Sequence, residues 1–303
     1  MAVMGVIIIP VTDSPLRYPG GKTQLKGFIN ELIQTNSIKD CIYVEPFAGG
    51  AGVAMSLLLS EKVQEVIIND IDSSIYCFWK SILEHTDDFI KLLEETPVNL
   101  NEWYKQKHIQ ENKDKFNVLE IGFSTFFLNR TNRSGIITGG PIGGYSQQGQ
   151  YKIDCRFNKK NLIKKILRIA SYKKRITITN YDASVFIDKV IKFLDKDKTF
   201  IFFDPPYYEQ GKHLYTNFYT HDDHVHLSKK ILSLKDYYWI TTYDLSKEIM
   251  EIYNIKNQKI YRLNYSANNK RKAAELLFYS KRITLPKTNH IELISNILPS
   301  DIS

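Results

Sequence analysis

Cysteine is scarce in this sequence, and long hydrophobic runs are absent. The 303 residues include three cysteines, Cys41, Cys77 and Cys155, with no CxxC spacing. This pattern excludes a disulfide framework and a cysteine-ligated metal cluster, and it fits the reducing cytoplasm. No apolar run approaches the roughly 20 residues of a transmembrane helix, so we predict no membrane association. Residues 3–9 are apolar but lack a basic leader and a cleavage site, so we expect a strand or a loose arm there rather than a signal peptide.

Two further kinds of site lack their usual signatures. The GxSxG turn that carries the nucleophile of many serine hydrolases does not occur, which leaves no candidate for Ser-His-Asp catalysis. His221, His224 and His226 lie close together, but their spacing does not place three ligands on one helix face. We therefore predict no metal site, and we interpret Asp222 and Asp223 as the start of a helix.

The composition indicates a globular protein with a basic surplus. Hydrophobic residues make up 43% of the chain, enough to bury the core of one or two domains. Lysine and arginine outnumber aspartate and glutamate by 41 to 33, which gives a net charge of +8. Such a surplus favours a polyanionic partner, although lysine-rich compositions also occur without one.

Periodicity divides the chain into two α/β halves around a different middle. In the first half, strands at 41–44 and 65–69 flank a helix at 51–60, which is a βαβ unit. The second half alternates strands and helices again. Its expected strands span 176–179, 199–203, 237–242 and 275–279, and its expected helices span 183–194, 222–234 and 245–252. The tail after residue 281 carries no clear pattern.

The end of the strand at 199–203 is the most informative point of the sequence. Asp204, Pro205, Pro206 and Tyr207 follow it directly. Proline cannot continue a sheet ladder and fixes its own φ, so the strand must end there with a rigid backbone. A carboxylate, the Pro205 carbonyl and an aromatic ring then stand at the carboxyl edge of the sheet, where open α/β folds bind ligands. Two fixed acceptors beside a ring suit a planar amine such as a nucleobase edge, whereas the simpler alternative is an aspartate that caps a helix.

Two other segments have the composition of ligand-binding loops. The sequence EPFAGGAG at 45–52 follows a strand and opens a helix, so its backbone can approach a ligand closely. Asp70 ends the next strand about 20 residues later, where an acid can bind a ribose. The alternative is a tight structural turn. In RYPGGK, which ends at Lys22 before an amphipathic helix, the lysine could neutralise a ligand carboxylate, or the segment is an ordinary turn.

The middle of the chain supplies the candidates for contact with a polyanion. Residues 73–128 are expected to be mostly helical, and the glycine-rich stretch at 129–157 is expected to be a long loop. It opens with NRTNRSG, and arginine and asparagine are the side chains that bind guanine and adenine edges bidentately. The helix at 159–170 is basic, with Leu162, Ile163, Ile166 and Leu167 as its buried stripe and lysines facing outward. Phosphate contact and a solvated face explain those lysines equally well.

With these segments in this order, the chain resembles the Dam-like class of DNA adenine methyltransferases from about residue 15 to residue 279. The shared motifs are a PGGK-type start, FxGG after a strand, an acid after the second strand, Asn-Arg at the start of the recognition region, and DPPY. The resemblance implies an α/β fold: an S-adenosylmethionine-binding, Rossmann-like sheet with helices on both faces, formed by residues 1–72 and 171–303. Residues 73–170 would be an inserted, mostly helical target-recognition domain.

The resemblance also assigns roles to individual residues. For the cofactor, the resemblance implies that Tyr18 and Lys22 hold its aromatic and carboxylate ends and that Phe47, Ala48 and Gly49 line its methionine portion. Asp70 would bind its ribose, Tyr181 and Asp182 would flank its adenine, and Asp204 would lie beside it. The resemblance implies that the target base is held by Asp204, Pro205, Pro206 and Tyr207. It implies that DNA is contacted by Arg130, Asn132, Arg133 and Arg156. Two departures stand out: Tyr18 replaces a tryptophan of many relatives, and residues 131–151 do not match the recognition hairpin of GATC-methylating members.

The implied activity is methylation of the exocyclic amine of adenine in duplex DNA, with the base flipped out. S-adenosylmethionine and double-stranded DNA would be its partners, and a cognate restriction endonuclease or another defence component is a further candidate. The same chemistry could act on cytosine's exocyclic amine, on RNA or on a protein glutamine. A nicotinamide dehydrogenase would share the glycine loop, and a non-catalytic DNA-binding relative would share the fold. Methylation of cytosine carbon 5 is excluded, because the Pro-Cys pair typical of that reaction is absent.

Overall fold

An eight-stranded sheet with the strand order β3-β2-β1-β4-β5-β7-β6-β8 organises the protein. The computed structural model describes residues 12–17, 22–208, 219–263 and 274–294. The expected strand or arm at 3–9 and the residue Tyr18 lie outside these residues. The strands are β1 (Ile42–Glu45), β2 (Glu65–Asn69), β3 (Ile176–Thr179), β4 (Thr199–Phe203), β5 (Tyr238–Asp244), β6 (Gln258–Leu263), β7 (Ala274–Tyr279) and β8 (Ile291–Ile294).

The first five strands of the sheet are parallel, and the last three are antiparallel to their neighbours. Strand β4 lies at the centre and is buried along its whole length, as expected for a parallel strand covered on both faces. Its side chains alternate between two apolar clusters. Phe200 and Phe202 belong to one, and Ile201 and Phe203 belong to the other.

Helices cover both faces of the sheet, as the sequence predicted. On one face lie α1 (Lys26–Thr35), α2 (Gly52–Leu59), α3 (Ser73–Glu84), α4 (Thr86–Glu95), α5 (Leu100–Glu111), α6 (Val118–Thr131) and α7 (Lys159–Ala170). On the other face lie α8 (Ala183–Lys189), α9 (His221–Ser233) and α10 (Lys247–Tyr253). Among the described residues, no helix has the length and apolar character needed to cross a membrane.

Local capping explains where several of these helices begin. Asp72 accepts a hydrogen bond from the Ser74 backbone at 2.8 Å and caps α3. Thr220 and Asp223 form a capping box at the start of α9, which confirms that the acidic pair there begins a helix.

The structure corrects three details of the sequence-based elements. Strands β6 and β8 were not predicted from the sequence. Strand β8 is only four residues long and lies at the edge of the sheet. The helix expected at 183–194 ends as an α-helix at Lys189, and a short 3₁₀ turn, Ile191–Phe193, follows. On α7, Ile169 rather than Leu167 completes the buried stripe, since Leu167 is 47% exposed.

An aromatic cluster joins the middle helices to the sheet. Phe126 on α6 lies 5.9 Å from Phe78, 5.5 Å from Phe89 and 5.6 Å from Phe157, measured between ring centroids. These rings belong to the same apolar cluster as Phe200 and Phe202 of the central strand. The middle helices are therefore packed on the sheet through a shared core.

We expect the Phe126→Ala substitution to lower the free energy of unfolding by about 3–5 kcal/mol, because it leaves a cavity among fixed rings. Urea denaturation measures the change. Phe193→Ala is the matched control: this ring is 81% exposed, so its removal should change the stability little. Equal losses in the two variants would contradict the packing described here.

Candidate active site

A cleft of about 1190 Å³ opens at the carboxyl ends of β1, β2 and β4. The strand order reverses between β1 and β4, and ligands of open α/β sheets bind at such switch points. Separate segments of the chain converge on the cleft. Its lining includes Lys22, Phe47, Gly49, Asp70, Asp182 and Asp204. The structure thus brings together residues that the sequence analysis had assigned to one ligand.

The loop after β1 is hydrogen-bonded to the end of β2. The Ala48 backbone donates to the Asn69 carbonyl at 2.9 Å, and the Gly49 backbone donates to Asp70 Oδ2 at 2.8 Å. Gly49 has a φ of 45°, in the left-handed region that glycine adopts at little cost. The Trp79 indole donates to the Gly49 carbonyl at 3.0 Å. Three hydrogen bonds from the protein itself therefore hold the glycine loop.

Asp70 is buried at the floor of the cleft. Its other oxygen, Oδ1, accepts from the Asp72 backbone at 2.9 Å. Burial raises the pKa of this carboxyl to about 7. Glu45, at the end of β1, accepts hydrogen bonds from the Tyr43 hydroxyl and the Ala54 backbone, both at 3.0 Å. Burial raises the pKa of Glu45 to about 8, so the cleft contains acids that are costly to ionise.

Asn69 is a site residue that the sequence analysis missed. Its amide nitrogen donates to the Pro46 carbonyl at 3.0 Å and to the Tyr181 carbonyl at 2.9 Å. Its amide oxygen accepts from the Thr179 hydroxyl at 2.8 Å and from the Tyr181 backbone at 2.9 Å. One buried side chain thus ties together the loops that follow β1, β2 and β3. A polar residue directly before the strand-end acid was the only signal in the sequence.

Of the pair after β3, only Asp182 reaches the cleft. Its carboxylate lines the cleft and accepts from the Ser184 backbone at 2.8 Å, which caps α8. Tyr181 is 38% exposed and lies outside the lining, with the Lys189 ammonium 5.3 Å from its ring centroid. Tyr219, which the sequence did not indicate, lines the cleft and packs edge-on against Phe47.

The DPPY segment stands where the sequence placed it, at the carboxyl end of β4. Asp204 and Pro206 line the cleft, and Pro205 is buried beside them. Asp204 Oδ1 accepts a hydrogen bond from the Thr242 hydroxyl at 2.7 Å. Burial raises the pKa of Asp204, while the nearby Lys22 ammonium and the Thr242 hydrogen bond oppose that rise.

Lys22 contacts this segment directly. Its ammonium lies 3.4 Å from Asp204 Oδ1 and 4.6 Å from the centroid of the Tyr207 ring, and it donates to the Tyr207 hydroxyl. It also lies 3.5 Å from Glu275 Oε2 on β7. The sequence placed Lys22 at a ligand carboxylate and did not indicate Glu275.

The assignment of Asn132 to DNA contact is wrong for this structure, since the residue is 0% exposed. Its amide nitrogen donates to the carbonyls of Ile136 and Ile137, both at 2.9 Å, and its oxygen accepts from the Trp103 indole at 2.6 Å. These hydrogen bonds use the side chain to shape the turn after α6. Arg133, in contrast, is exposed at the start of the glycine-rich loop.

Arg130 and Arg156 lie together on the outside of the helical layer. The Arg130 guanidinium donates twice to the Arg156 carbonyl, at 2.9 and 2.6 Å, and the Arg156 side chain is exposed. Burial, together with repulsion from Arg17 and Arg156, lowers the pKa of Arg130 to about 10. Burial is likewise the main cause of the lowered pKa of Lys165, followed by repulsion from Arg130. The cluster concentrates positive charge next to residues 12–17.

Not all basic residues of α7 face solvent, which corrects the sequence interpretation. Lys165 donates to the Thr12 carbonyl, and Lys159 donates to the carbonyls of Glu94 and Thr96 at 2.7 and 2.8 Å. Lys160 and Lys164 are exposed, as expected. Two lysines of the helix therefore bind backbone carbonyls of neighbouring segments, while the others face solvent.

Asn129 connects this region to the cleft. Its side chain accepts from the Arg17 backbone at 2.7 Å, and it donates to the carbonyls of Arg17 and Gly135 at 2.7 and 2.8 Å. A Cβ on Gly135 would lie 2.3 Å from the Arg17 carbonyl, so only glycine allows this close approach. The end of α6 thus fixes the backbone five residues before Lys22.

The family model described as D12 class N6 adenine-specific DNA methyltransferase matches residues 18–289. The chain belongs to this family. It is therefore an adenine-specific DNA methyltransferase that acts on DNA with a methyl donor. Family membership decides against the alternatives of a cytosine amine, an RNA, a protein glutamine or a dehydrogenase reaction.

Two individual relatives share low sequence identity with the chain. The methyltransferase is 27% identical over 235 residues to the type II methyltransferase M.MjaIII of Methanocaldococcus jannaschii, an alignment that covers 71% of this chain and 77% of that protein. The rRNA methyltransferase aviRa of Streptomyces viridochromogenes aligns with 84% of each chain at 12% identity and a TM-score of 0.34. A structural likeness at that level carries no argument.

We expect Asn69→Ala to lower the free energy of unfolding of the methyltransferase by about 2–4 kcal/mol, because several buried partners lose their hydrogen bonds. Binding of the methyl donor should weaken by about 10-fold as the three loops loosen. Urea denaturation and isothermal titration calorimetry measure the two effects. Asn161→Ala, at an exposed position on α7, is the control. Donor affinity that survives the loss of stability would contradict the role of Asn69.

Proposed function

We propose that this enzyme binds S-adenosylmethionine in the cleft and methylates the N6 amine of an adenine that has been rotated out of duplex DNA. The observation that carries the proposal is the position of Asp204: it lies at the carboxyl end of the central strand, lines the cleft and faces the same space as the loops after β1 and β2. A donor bound along those loops would therefore meet the target base at Asp204.

The residues around the cleft suit this cofactor. Its volume of about 1190 Å³ exceeds that of typical small-molecule sites, about 300–1,000 Å³, and so leaves room for cofactor and base together. Asp70 and Asp182 supply acceptors for sugar hydroxyls and an adenine amine, and Phe47 supplies an apolar wall. Ala48 and Gly49 supply a backbone that a ligand can approach. When bound, the cofactor provides a methyl group on a positively charged sulfur.

Asp204 and Pro205 activate the amine. The lone pair of adenine N6 is delocalised into the ring, which makes this nitrogen a poor nucleophile. The Asp204 carboxylate and the Pro205 carbonyl accept hydrogen bonds from its two N–H groups and thereby favour a tetrahedral nitrogen with an available lone pair. Acceptors fixed where positive charge develops stabilise the transition state. The new C–N bond replaces the C–S bond, and the surplus N–H proton leaves toward Asp204 and solvent.

Base flipping supplies access to N6, which is shielded inside a duplex. Flipping costs a few kcal/mol, and stacking on an aromatic ring such as Tyr207 returns about 1–3 kcal/mol. Pro206, which lines the cleft beside Asp204, keeps that ring close to the carboxylate. Tyr18 would complete the cofactor site if its role follows the family.

DNA contact is proposed for the exposed arginines of the middle region. Ser134 lines the cleft, so the neighbouring Arg133 lies at its rim and is exposed. The exposed Arg156 extends the positive surface, and the half-buried Arg130 adds its charge while it holds the Arg156 backbone. Residues 73–170 would form the target-recognition part, and residues 1–72 and 171–303 the catalytic part. Three free cysteines favour the cytoplasm.

A role in restriction and modification follows from the relative described as a type II methyltransferase. In that setting, a cognate endonuclease that recognises the same DNA sequence would be the partner. Sequencing the methylated positions in genomic DNA from cells that express this chain identifies the recognised sequence, and a duplex oligonucleotide of that sequence then serves as substrate.

We expect Asp204→Ala to reduce transfer of a tritiated methyl group by about 10³-fold or more, because the amine loses an acceptor made in the transition state. Affinity for duplex DNA should stay within a few fold, as measured by fluorescence anisotropy. Asp222→Ala, at an exposed position on α9, should remain fully active. Mass spectrometry of digested DNA must find N6-methyladenine as the wild-type product. Retained turnover in Asp204→Ala would refute the assigned role.

We expect Arg133→Ala to weaken DNA binding and to reduce the slope of log K against log salt concentration by about 0.9, the value for one phosphate contact. Lys235→Ala removes the same charge at an exposed position before β5, at the edge of the sheet opposite the cleft, and should leave the slope unchanged. Affinity and slope that match the wild type in both variants would place DNA elsewhere.

A further inference from the structure

The ammonium of Lys22 is shared between two carboxylates that come from different strands. It lies 3.4 Å from Asp204 Oδ1 and 3.5 Å from Glu275 Oε2. The side chains of Lys22 and Glu275 are only 7% and 13% exposed. Buried charges lose favourable hydration, so such a group is weak evidence for stability and calls for another explanation.

The antiparallel part of the sheet places Glu275 at this position. Strand β7 runs between β5 and β6, where Glu275 pairs with Asp244 on one side and with Tyr261 on the other. The Tyr261 hydroxyl donates to Glu275 Oε2. Tyr261 is itself buried, so the carboxylate is held in one orientation and aimed at Lys22.

The geometry around Asp204 shows what this sharing achieves. Its Oδ1 accepts from Thr242 and faces Lys22. Within the described residues, no donor contacts its Oδ2, which leaves that oxygen for the target amine. An ammonium bound by Asp204 alone would approach the carboxylate more closely and compete with the amine for its lone pairs.

We propose that Glu275 is a positioning residue for methyl transfer: it draws the Lys22 ammonium away from Asp204 far enough to leave the Asp204 carboxylate open to the adenine amine. This inference rests on the proposed function of Asp204. The two acids and the lysine form a unit in which Glu275 acts only through Lys22.

The charges around Asp204 fix the direction of the effect on pH dependence. Burial raises the pKa of Asp204, Lys22 lowers it, and Glu275 raises it. Other groups among the described residues that face this unit are Tyr207 after β4, Tyr261 on β6, Thr242 on β5, and Tyr43 and Glu45 on β1. Removal of the Glu275 charge lowers the pKa of Asp204 directly and also brings Lys22 closer to it. Both changes favour the ionised carboxylate.

The test is Glu275→Gln, assayed by single-turnover methylation of a duplex that carries the recognised sequence, from pH 5 to pH 9. The rate at the plateau should fall by about 10- to 100-fold, because the Lys22 ammonium then pairs closely with the Asp204 carboxylate and competes with the adenine amine. The acid limb of the profile should move to lower pH. Glu251→Gln, an exposed change on α10, should alter neither. A slower enzyme with an unmoved acid limb would overturn the proposal, since a purely structural role predicts that result.

A second measurement does not depend on turnover. Reductive methylation with formaldehyde labels neutral lysine amines, and peptide mass spectrometry follows Lys22 alone. Loss of one of its carboxylate neighbours should make Lys22 react several-fold faster in Glu275→Gln than in wild type at the same pH. An unchanged labelling rate in a folded variant would overturn the shared contact.

The double-mutant cycle with Lys22→Met isolates the coupling. If Glu275 acts through Lys22, adding Glu275→Gln to Lys22→Met should change the single-turnover rate by less than about 2-fold. An equal loss in both backgrounds would overturn the proposal. Wild type and Asp204→Ala are measured alongside: activity in Asp204→Ala would reject the role of Asp204, whereas an additive cycle with inactive Asp204→Ala rejects only the role of Glu275.

Discussion

The ion pair between Lys22 and Asp204 is the interaction on which the arrangement of the active site depends. Asp204 ends the central strand and is rigid because two prolines follow it. Lys22 precedes the first helix, far from Asp204 in sequence, and its ammonium lies 3.4 Å from the carboxylate. The pair therefore fixes the segment before the first helix against the middle of the sheet. The cleft lies between the segments that this ion pair joins.

The position of Lys22 is in turn set by the helical layer. Asn129 on α6 holds the backbone of Arg17 through both its N–H and its carbonyl, and Lys165 on α7 donates to the Thr12 carbonyl. The two helices that hold this segment flank the loop that carries the exposed Arg133 and Arg156. The proposed DNA contact and the placement of Lys22 thus draw on one set of packed elements.

Much of the fold and the floor of the cleft could be predicted from sequence, because local patterns determine them. A buried apolar run that ends in proline places Asp204 at the edge of the sheet, and a glycine loop followed by a strand-end acid places Gly49 near Asp70. The contacts of Asn69, Asn129 and Glu275 could not be predicted in this way. Each joins segments that are distant along the chain, and a single asparagine or glutamate gives no periodic signal. The same limit explains the error at Asn132, whose polar side chain satisfies buried backbone groups instead of facing solvent.

Burial of acids is the common physical theme of the cleft. Glu45, Asp70 and Asp204 all have raised pKa values because they lie away from water at the ends of adjacent strands. Such a site disfavours further negative charge and favours a ligand with positive charge and N–H or O–H donors. A positively charged methyl donor and a neutral amine that gains positive charge on reaction both satisfy that demand. Under the proposed function, the buried acids of the cleft are therefore the groups that would select its ligands and stabilise the charge that methyl transfer creates.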